Sequence, residues 1–165
     1  MRAVIIGAGI MGCATALELS RRGVRDILVL ERAVPGAEAS SAAAGMLAAQ
    51  VESKDDDERA LFARAREGYA AWAAELREAS GVDIGHRRTG ALEIATSLEE
   101  VESLRARVDA DRAFGLRAEL LDPEAARKIE PELSPEIAGA AWFPDEAQVD
   151  PPQLLRALVA AIARA

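Results

Sequence analysis

A chain of 165 residues is long enough for one core, or for one domain and part of another. Its formal charge of −8 argues against a nucleic-acid or anionic-membrane surface, because both need clustered Lys and Arg. Half the residues are hydrophobic, many of them alanine, with only two Trp, one Tyr and three Phe, a composition that predicts a helix-rich globular chain.

Arg2 to Ile6 is a short apolar run ending in Gly7, the pattern of a buried parallel strand. Gly12 to Arg22 then predicts a helix stopped by Gly23, and Ile27 to Leu30 a second strand closed by Glu31. Strand, tight turn, helix and strand within about 30 residues make a βαβ unit with a right-handed crossover. The apolar stretch from Arg2 to Leu19 also has the look of a signal peptide. Gly7, Gly9 and Gly12 would break such a helix, and the run is too short to span a bilayer. A soluble chain is expected. Cys13 is the only cysteine, so no intrachain disulfide or CxxC pair can form, which fits a cytoplasmic location.

Gly7-Ala8-Gly9-Ile10-Met11-Gly12 matches the dinucleotide fingerprint G-x-G-x-x-G between a strand and a helix. Gly7 permits the turn, Gly9 leaves room for a pyrophosphate, and Gly12 lets helix and strand pack closely. The helix N-terminus offers unpaired N–H groups and its positive dipole end to phosphate. Glu31 lies 19 residues beyond Gly12, where its carboxylate can accept hydrogen bonds from ribose hydroxyls and would repel a 2′-phosphate. NADP is therefore disfavoured, while the fingerprint leaves NAD and FAD both open.

Arg32 to Gln50 is rich in Ala, Ser and Gly and predicts a loop with a short helix near Ser41. Lys54 to Glu58 is a charged run, expected to be a solvated loop and helix start. A long amphipathic helix is expected from about Asp57 to Ser80, with Leu61, Ala65, Tyr69, Trp72, Leu76 and Ala79 on its apolar face and Gly81 ending it. Thr89 to Thr96 predicts a strand around Leu92 and Ile94. Ser97-Leu-Glu-Glu100 is a capping box opening a helix to about Ala113. Asp122-Pro123 opens a shorter helix, Ala138 to Phe143 predicts a strand, and Asp150-Pro151-Pro152 caps a last helix from Gln153 to Ala165.

The segment Ala39-Ser-Ser-Ala-Ala-Ala-Gly-Met-Leu47 resembles the flavin-contacting segment of FAD-dependent amino-acid oxidases of the D-amino-acid oxidase superfamily, and is most similar to the glycine oxidase branch of thiamine biosynthesis. Ser80-Gly-Val-Asp83, Thr89-Gly-Ala-Leu92, Glu130-Pro131 and Gln148-Val-Asp-Pro151 extend the resemblance over nearly the whole chain. It implies FAD as cofactor, with contacts at Gly7, Gly9, Ile10, Met11, Gly12, Glu31, Arg32, Ala39, Ser40, Ala44, Gly45 and Met46. Small residues such as Ala44 and Gly45 suit a chain lying against a flavin ring, and Ser40 can offer a hydroxyl to the pyrophosphate or ribityl chain.

The implied fold is α/β: the N-terminal part of an FAD-binding Rossmann-like (βαβ) domain with part of an inserted α+β substrate domain. Residues 1–80 would belong to the FAD domain, 81–149 to the substrate domain, and 150–165 to a helix returning to the FAD domain. The implied reaction is oxidative deamination of glycine or a similar small amino acid or amine, with hydride passing to the flavin and oxygen reduced to hydrogen peroxide. Sarcosine oxidase, D-amino-acid dehydrogenase and a non-enzymatic dinucleotide-binding remnant are the alternatives. In that family the substrate-binding Arg and Tyr lie in a C-terminal half with no matching positions here, so the chain is expected to be a fragment and no catalytic residue is named. No nucleic-acid or membrane partner is expected, and a homo-oligomer of the full-length protein stays open.

Other residues carry less. His86 has no partners with metal-ligand spacing and is expected in an exposed loop, so no metal is expected. Cys13 is expected to be a packing residue, with a reactive thiol as the alternative, because a helix N-terminus lowers thiol pKa. Trp72 and Trp142 are expected in the core or at a domain contact, and Arg87-Arg88 on the surface, with an anionic substrate as the alternative.

Overall fold

The computed structural model describes residues 2–164. In chain order the elements are β1 (Arg2–Ile6), α1 (Ile10–Arg21), β2 (Asp26–Leu30), α2 (Ala39–Ala42), β3 (Met46–Leu47), α3 (Asp56–Ser80), β4 (Arg87–Arg88), β5 (Ala91–Ala95), α4 (Leu98–Ala113), β6 (Glu119–Leu121), α5 (Pro123–Ile129), β7 (Gly139–Phe143), β8 (Ala147–Gln148) and α6 (Pro151–Arg164). They divide into two compact units. Unit 1 comprises residues 1–46, 67–87 and 148–165, and unit 2 comprises residues 47–66 and 88–147. The expected end of the last helix at Ala165 lies outside the described residues.

Unit 1 is built on the expected βαβ. Strands β1 and β2 pair in parallel from Arg2 opposite Asp26 to Ile6 opposite Leu30. Ala3, Ile5, Ile27 and Val29 are half-buried, on the face that meets α1. α1 begins two residues earlier than its glycine spacing suggested, so Gly12 sits in its first turn. Cys13, Ala16 and Leu17 bury the inner face of α1, and α6 packs against it with Leu154, Leu155, Ala157, Leu158 and Ala161 buried. The opposite face of the sheet carries Val4, Ile6, Leu28 and Leu30, which are 39–87% exposed. Parallel sheets are normally covered on both faces, so this apolar face is suited to a further layer.

Unit 2 is a three-stranded antiparallel sheet, ordered β5-β7-β6, with a helix on each face. Side chains alternate across it. Ala95, Ala141 and Phe143 pack with Leu104 and Val108 of α4, while Leu92, Ile94 and Ala140 pack with Ala126 of α5. The caps form as their residues dictate. Ser97 Oγ accepts from the Glu100 amide at 3.2 Å, and Asp122 Oδ1 from the Ala125 amide at 2.8 Å. The return bond from Glu100 goes to the Thr96 amide at 2.6 Å, one residue before the cap. Together with the Thr96 hydroxyl, it holds the Glu100 carboxyl below its ordinary pKa. Strand β6 has no signal in the sequence, being three residues long.

The predicted apolar face of α3 needs correction in its first half. Leu61 is 64% exposed and Ala65 is exposed, whereas Arg59, Ala63 and Arg66 are buried. The reason is electrostatic. Arg66 Nη1 donates to Glu146 Oε1 at 2.9 Å and to Gln50 Oε1 at 2.6 Å, and Arg59 Nε donates to Asp111 Oδ1 at 2.7 Å. Gln50 Nε2 donates to Asp111 Oδ2 at 2.9 Å, while Glu146 accepts the amides of Ala49 at 2.7 Å and Gln50 at 2.9 Å. Two charge pairs are thus satisfied inside unit 2, as buried charges must be. Burial nevertheless pushes the Glu146 carboxyl above its ordinary pKa, against the pull of the two amides and Arg66.

Candidate functional site

The fingerprint residues converge at the turn from β1 into α1. Gly7 has φ +100°, which an L side chain rarely adopts, and its amide donates to Leu30 O at 2.7 Å, closing the end of the parallel pair. A Cβ on Gly12 would collide with the Gly7 carbonyl, and at 3.4 Å it would touch Ile5 Cγ2. Glycine at 12 is what lets α1 lie this close to β1.

Glu31 closes the site from β2. One carboxylate oxygen accepts the Ala8 amide at 2.9 Å and the other the Ala33 amide at 3.1 Å. These bonds, with the Arg32 amide and charge, hold the carboxyl below its ordinary pKa, so it is ionised at neutral pH. Each oxygen keeps a second lone pair for a hydroxyl donor. The neighbouring Arg32 is exposed and pairs with Glu38.

At the N-terminus of α1, Gly9 is the cap residue and supplies no side-chain bond to the helix. The first intrahelical bond runs from the Cys13 amide to Gly9 O, so the amides of Ile10, Met11 and Gly12 have no acceptor within α1. Ser40 Oγ takes one of them, accepting the Ile10 amide at 3.0 Å. A Cβ on Gly9 would stand 2.9 Å from that hydroxyl. Met11 is 80% exposed beside this turn. Bare glycine backbone, helix amides and a nearby hydroxyl form the donor set a pyrophosphate requires. The residues present fit the group.

The structure therefore brings Gly7, Gly9, Ile10, Met11, Gly12, Glu31 and Ser40 together, with Arg32 and Ala39 next to them in the chain. Ala44, Gly45 and Met46 lie further along. Ala44 lines an open cleft of about 480 Å³ with Ser41, Gly85, Arg87, Gln148 and Asp150. Met46 is 58% exposed. Sequence reading did not anticipate that Gln148 and Asp150 share this cleft, since no local pattern links positions 44 and 150.

Geometry also places two residues outside the glycine turn, Cys13 and His86. Cys13 is buried, and desolvation, followed by the charge of Glu31, raises its thiol pKa, an environment that favours the packing role over a reactive thiol. His86 is half-buried rather than exposed and stacks on Tyr69, ring centroids 5.5 Å apart. Burial pushes the Tyr69 hydroxyl up to about 12. Among the described residues no group of three His, Cys, Asp or Glu side chains could hold a metal ion, and no helix is long and apolar enough to cross a membrane.

A parallel βαβ closed by a glycine turn, with a carboxylate at the end of its second strand, defines a dinucleotide-binding protein. The family model for FAD dependent oxidoreductase (DAO) matches residues 2–165, and the chain belongs to that family. It is 39% identical over 163 residues to a glycine oxidase of Geobacillus kaustophilus, a match covering 98% of this chain and 43% of that protein. The crystal structure of glycine oxidase from the same organism superposes with a TM-score of 0.92 at 37% identity, over 98% of this chain and 44% of the other. A bifunctional protein ThiO/ThiG of Trichormus variabilis is 36% identical over 96% of this chain and 24% of its own length. The chain thus spans less than half the length of these relatives.

Proposed function

We propose that unit 1 holds the ADP end of FAD and that the protein oxidises glycine or a similar small amino acid or amine with release of peroxide. The observation that carries the reading is the arrangement around Gly9: bare backbone, free helix amides and the Ser40 hydroxyl on one side, the ionised Glu31 at the end of β2 on the other. In this reading the pyrophosphate lies over Gly9 and α1, the adenosine ribose bonds to Glu31, and Ala39 to Met46 face the flavin. When bound, the flavin supplies the two-electron acceptor. Unit 2 is read as part of the substrate domain. The similarity to glycine oxidases over 98% of the chain supports glycine as substrate, the ThiO/ThiG similarity supports a place in thiamine biosynthesis, and the lone cysteine fits the cytoplasm.

The test is a flavin titration of the purified protein, followed by absorbance and fluorescence, with ADP and NAD as competitors. FAD should bind and be displaced by ADP. Binding of NAD with no binding of FAD would overturn the reading.

A further inference from the structure

The segment proposed to face the flavin, residues 39–46, is preceded by Gly36, which meets α6, and ends near Gly45, which meets the lead into α6. Near its start, a Cβ on Gly36 would fall inside the Leu155 side chain of α6. At its far end, Gly45 O accepts the Val149 amide at 2.9 Å, and Gly45 has φ +83°. A Cβ there would collide with the Val149 carbonyl and stand 3.0 Å from Pro151 Cδ. Between these two points Ser40 is bonded to the Ile10 amide of α1, which packs on α6. The lead into α6 is itself pinned. The Asp150 amide donates to Ile84 O at 2.9 Å, Asp150 O accepts the Leu154 amide at 2.8 Å, and Asp150 Oδ1 caps the helix through the Gln153 amide at 2.9 Å.

We propose that Val149–Pro151 and the first turn of α6 form the platform that sets the position of residues 39–46 toward the isoalloxazine end of FAD, with Gly45 as the positioning residue. The proposal rests on the FAD reading. Its physical content is a division of labour inside unit 1. The glycine turn, Glu31 and Ser40 hold the nucleotide end, whereas the flavin end needs residues 41–46 fixed. Gly45 meets two independent requirements, a backbone angle and a close approach, and no other residue type meets both. Gly23 is the natural control. It has φ +87°, but a Cβ added there meets nothing within 4 Å, so Gly23→Ala bears the backbone strain without touching the platform.

The experiment compares FAD and ADP affinities of the wild-type protein, Gly45→Ala and Gly23→Ala, with amide hydrogen exchange at Val149 in the wild type. Gly45→Ala should weaken FAD by about tenfold or more while changing ADP by less than about threefold, and Gly23→Ala should leave the ratio unchanged. Exchange of the Val149 amide should slow with FAD and not with ADP. An unchanged FAD-to-ADP ratio in Gly45→Ala, or equal protection of Val149 by both ligands, overturns the platform. If Gly45→Ala does not fold, the wild-type exchange measurement decides. Failure of the wild type to bind either ligand would instead overturn the FAD reading.

Discussion

Glu31 in unit 1 and Glu146 in unit 2 are held by the same device, two backbone amides donating to one carboxylate, yet they answer to opposite physics. Glu31 is open to water, and its bonds from Ala8 and Ala33 hold its pKa down. Glu146 is 1% exposed, and desolvation outweighs its bonds from Ala49, Gln50 and Arg66 and pushes its pKa up. Backbone chelation alone therefore does not decide which way a carboxyl pKa moves; access of water does. An open chelated carboxylate has lone pairs to spare for a ligand, while a buried one uses them on its own protein.

The largest effect should come from breaking the buried member. Arg66→Ala leaves Glu146 and Gln50 Oε1 without their cation and should cost about 3–5 kcal/mol of stability, as the loss of one partner of a buried pair does. Urea unfolding of the variant against the wild type measures it. A loss below about 1 kcal/mol, the size of an exposed pair, would show that the network is solvated.

That network also marks where the sequence stops being readable. The βαβ unit is a signal continuous along one short stretch of chain, the Ser97 cap and the Asp caps at 122 and 150 are complete within a few residues, and each forms. Arg59 and Arg66 look like the solvent side of an amphipathic helix because their partners, Asp111 and Glu146, lie 52 and 80 residues away. The site divides in the same way. The meeting of Gly7, Gly12 and Glu31 follows from the fingerprint's own spacing, but the seat of residues 36–45 on α6 depends on Leu155 and Val149, roughly 100 residues on, and no periodicity announces it.

The open member of the comparison is sharpened by ligand binding. Glu31→Lys replaces an acceptor by a donor at the end of β2, whereas Glu52→Lys makes the same charge change on an exposed residue of unit 2. A hydrogen bond to a charged group contributes about 1.5–3 kcal/mol, so Glu31→Lys should weaken ADP and FAD by about tenfold or more and Glu52→Lys should leave both near wild type. Fluorescence titration of the two variants checks this. Equal losses would move the ribose away from Glu31.

The smallest effect, and the most direct test of the comparison, is the pH dependence of stability. A carboxyl whose pKa is raised on folding binds protons more readily in the native state, so its contribution is present below the ordinary value of 4.5 and fades as pH rises through the native pKa. A carboxyl whose pKa is lowered does the reverse: its contribution is present above 4.5 and fades as pH falls through the native pKa. Glutamine removes either titration while keeping the side-chain shape. Between neutral pH and pH 4.5 the stability of the wild type relative to Glu146→Gln should therefore rise, because only the wild type takes up the proton that favours the fold. Below pH 4.5 the stability of the wild type relative to Glu31→Gln should fall, because the native carboxylate must then be protonated out of its two amide bonds. Denaturant unfolding across that pH range gives both differences, and slopes of the same sign would mean that water reaches both carboxylates alike.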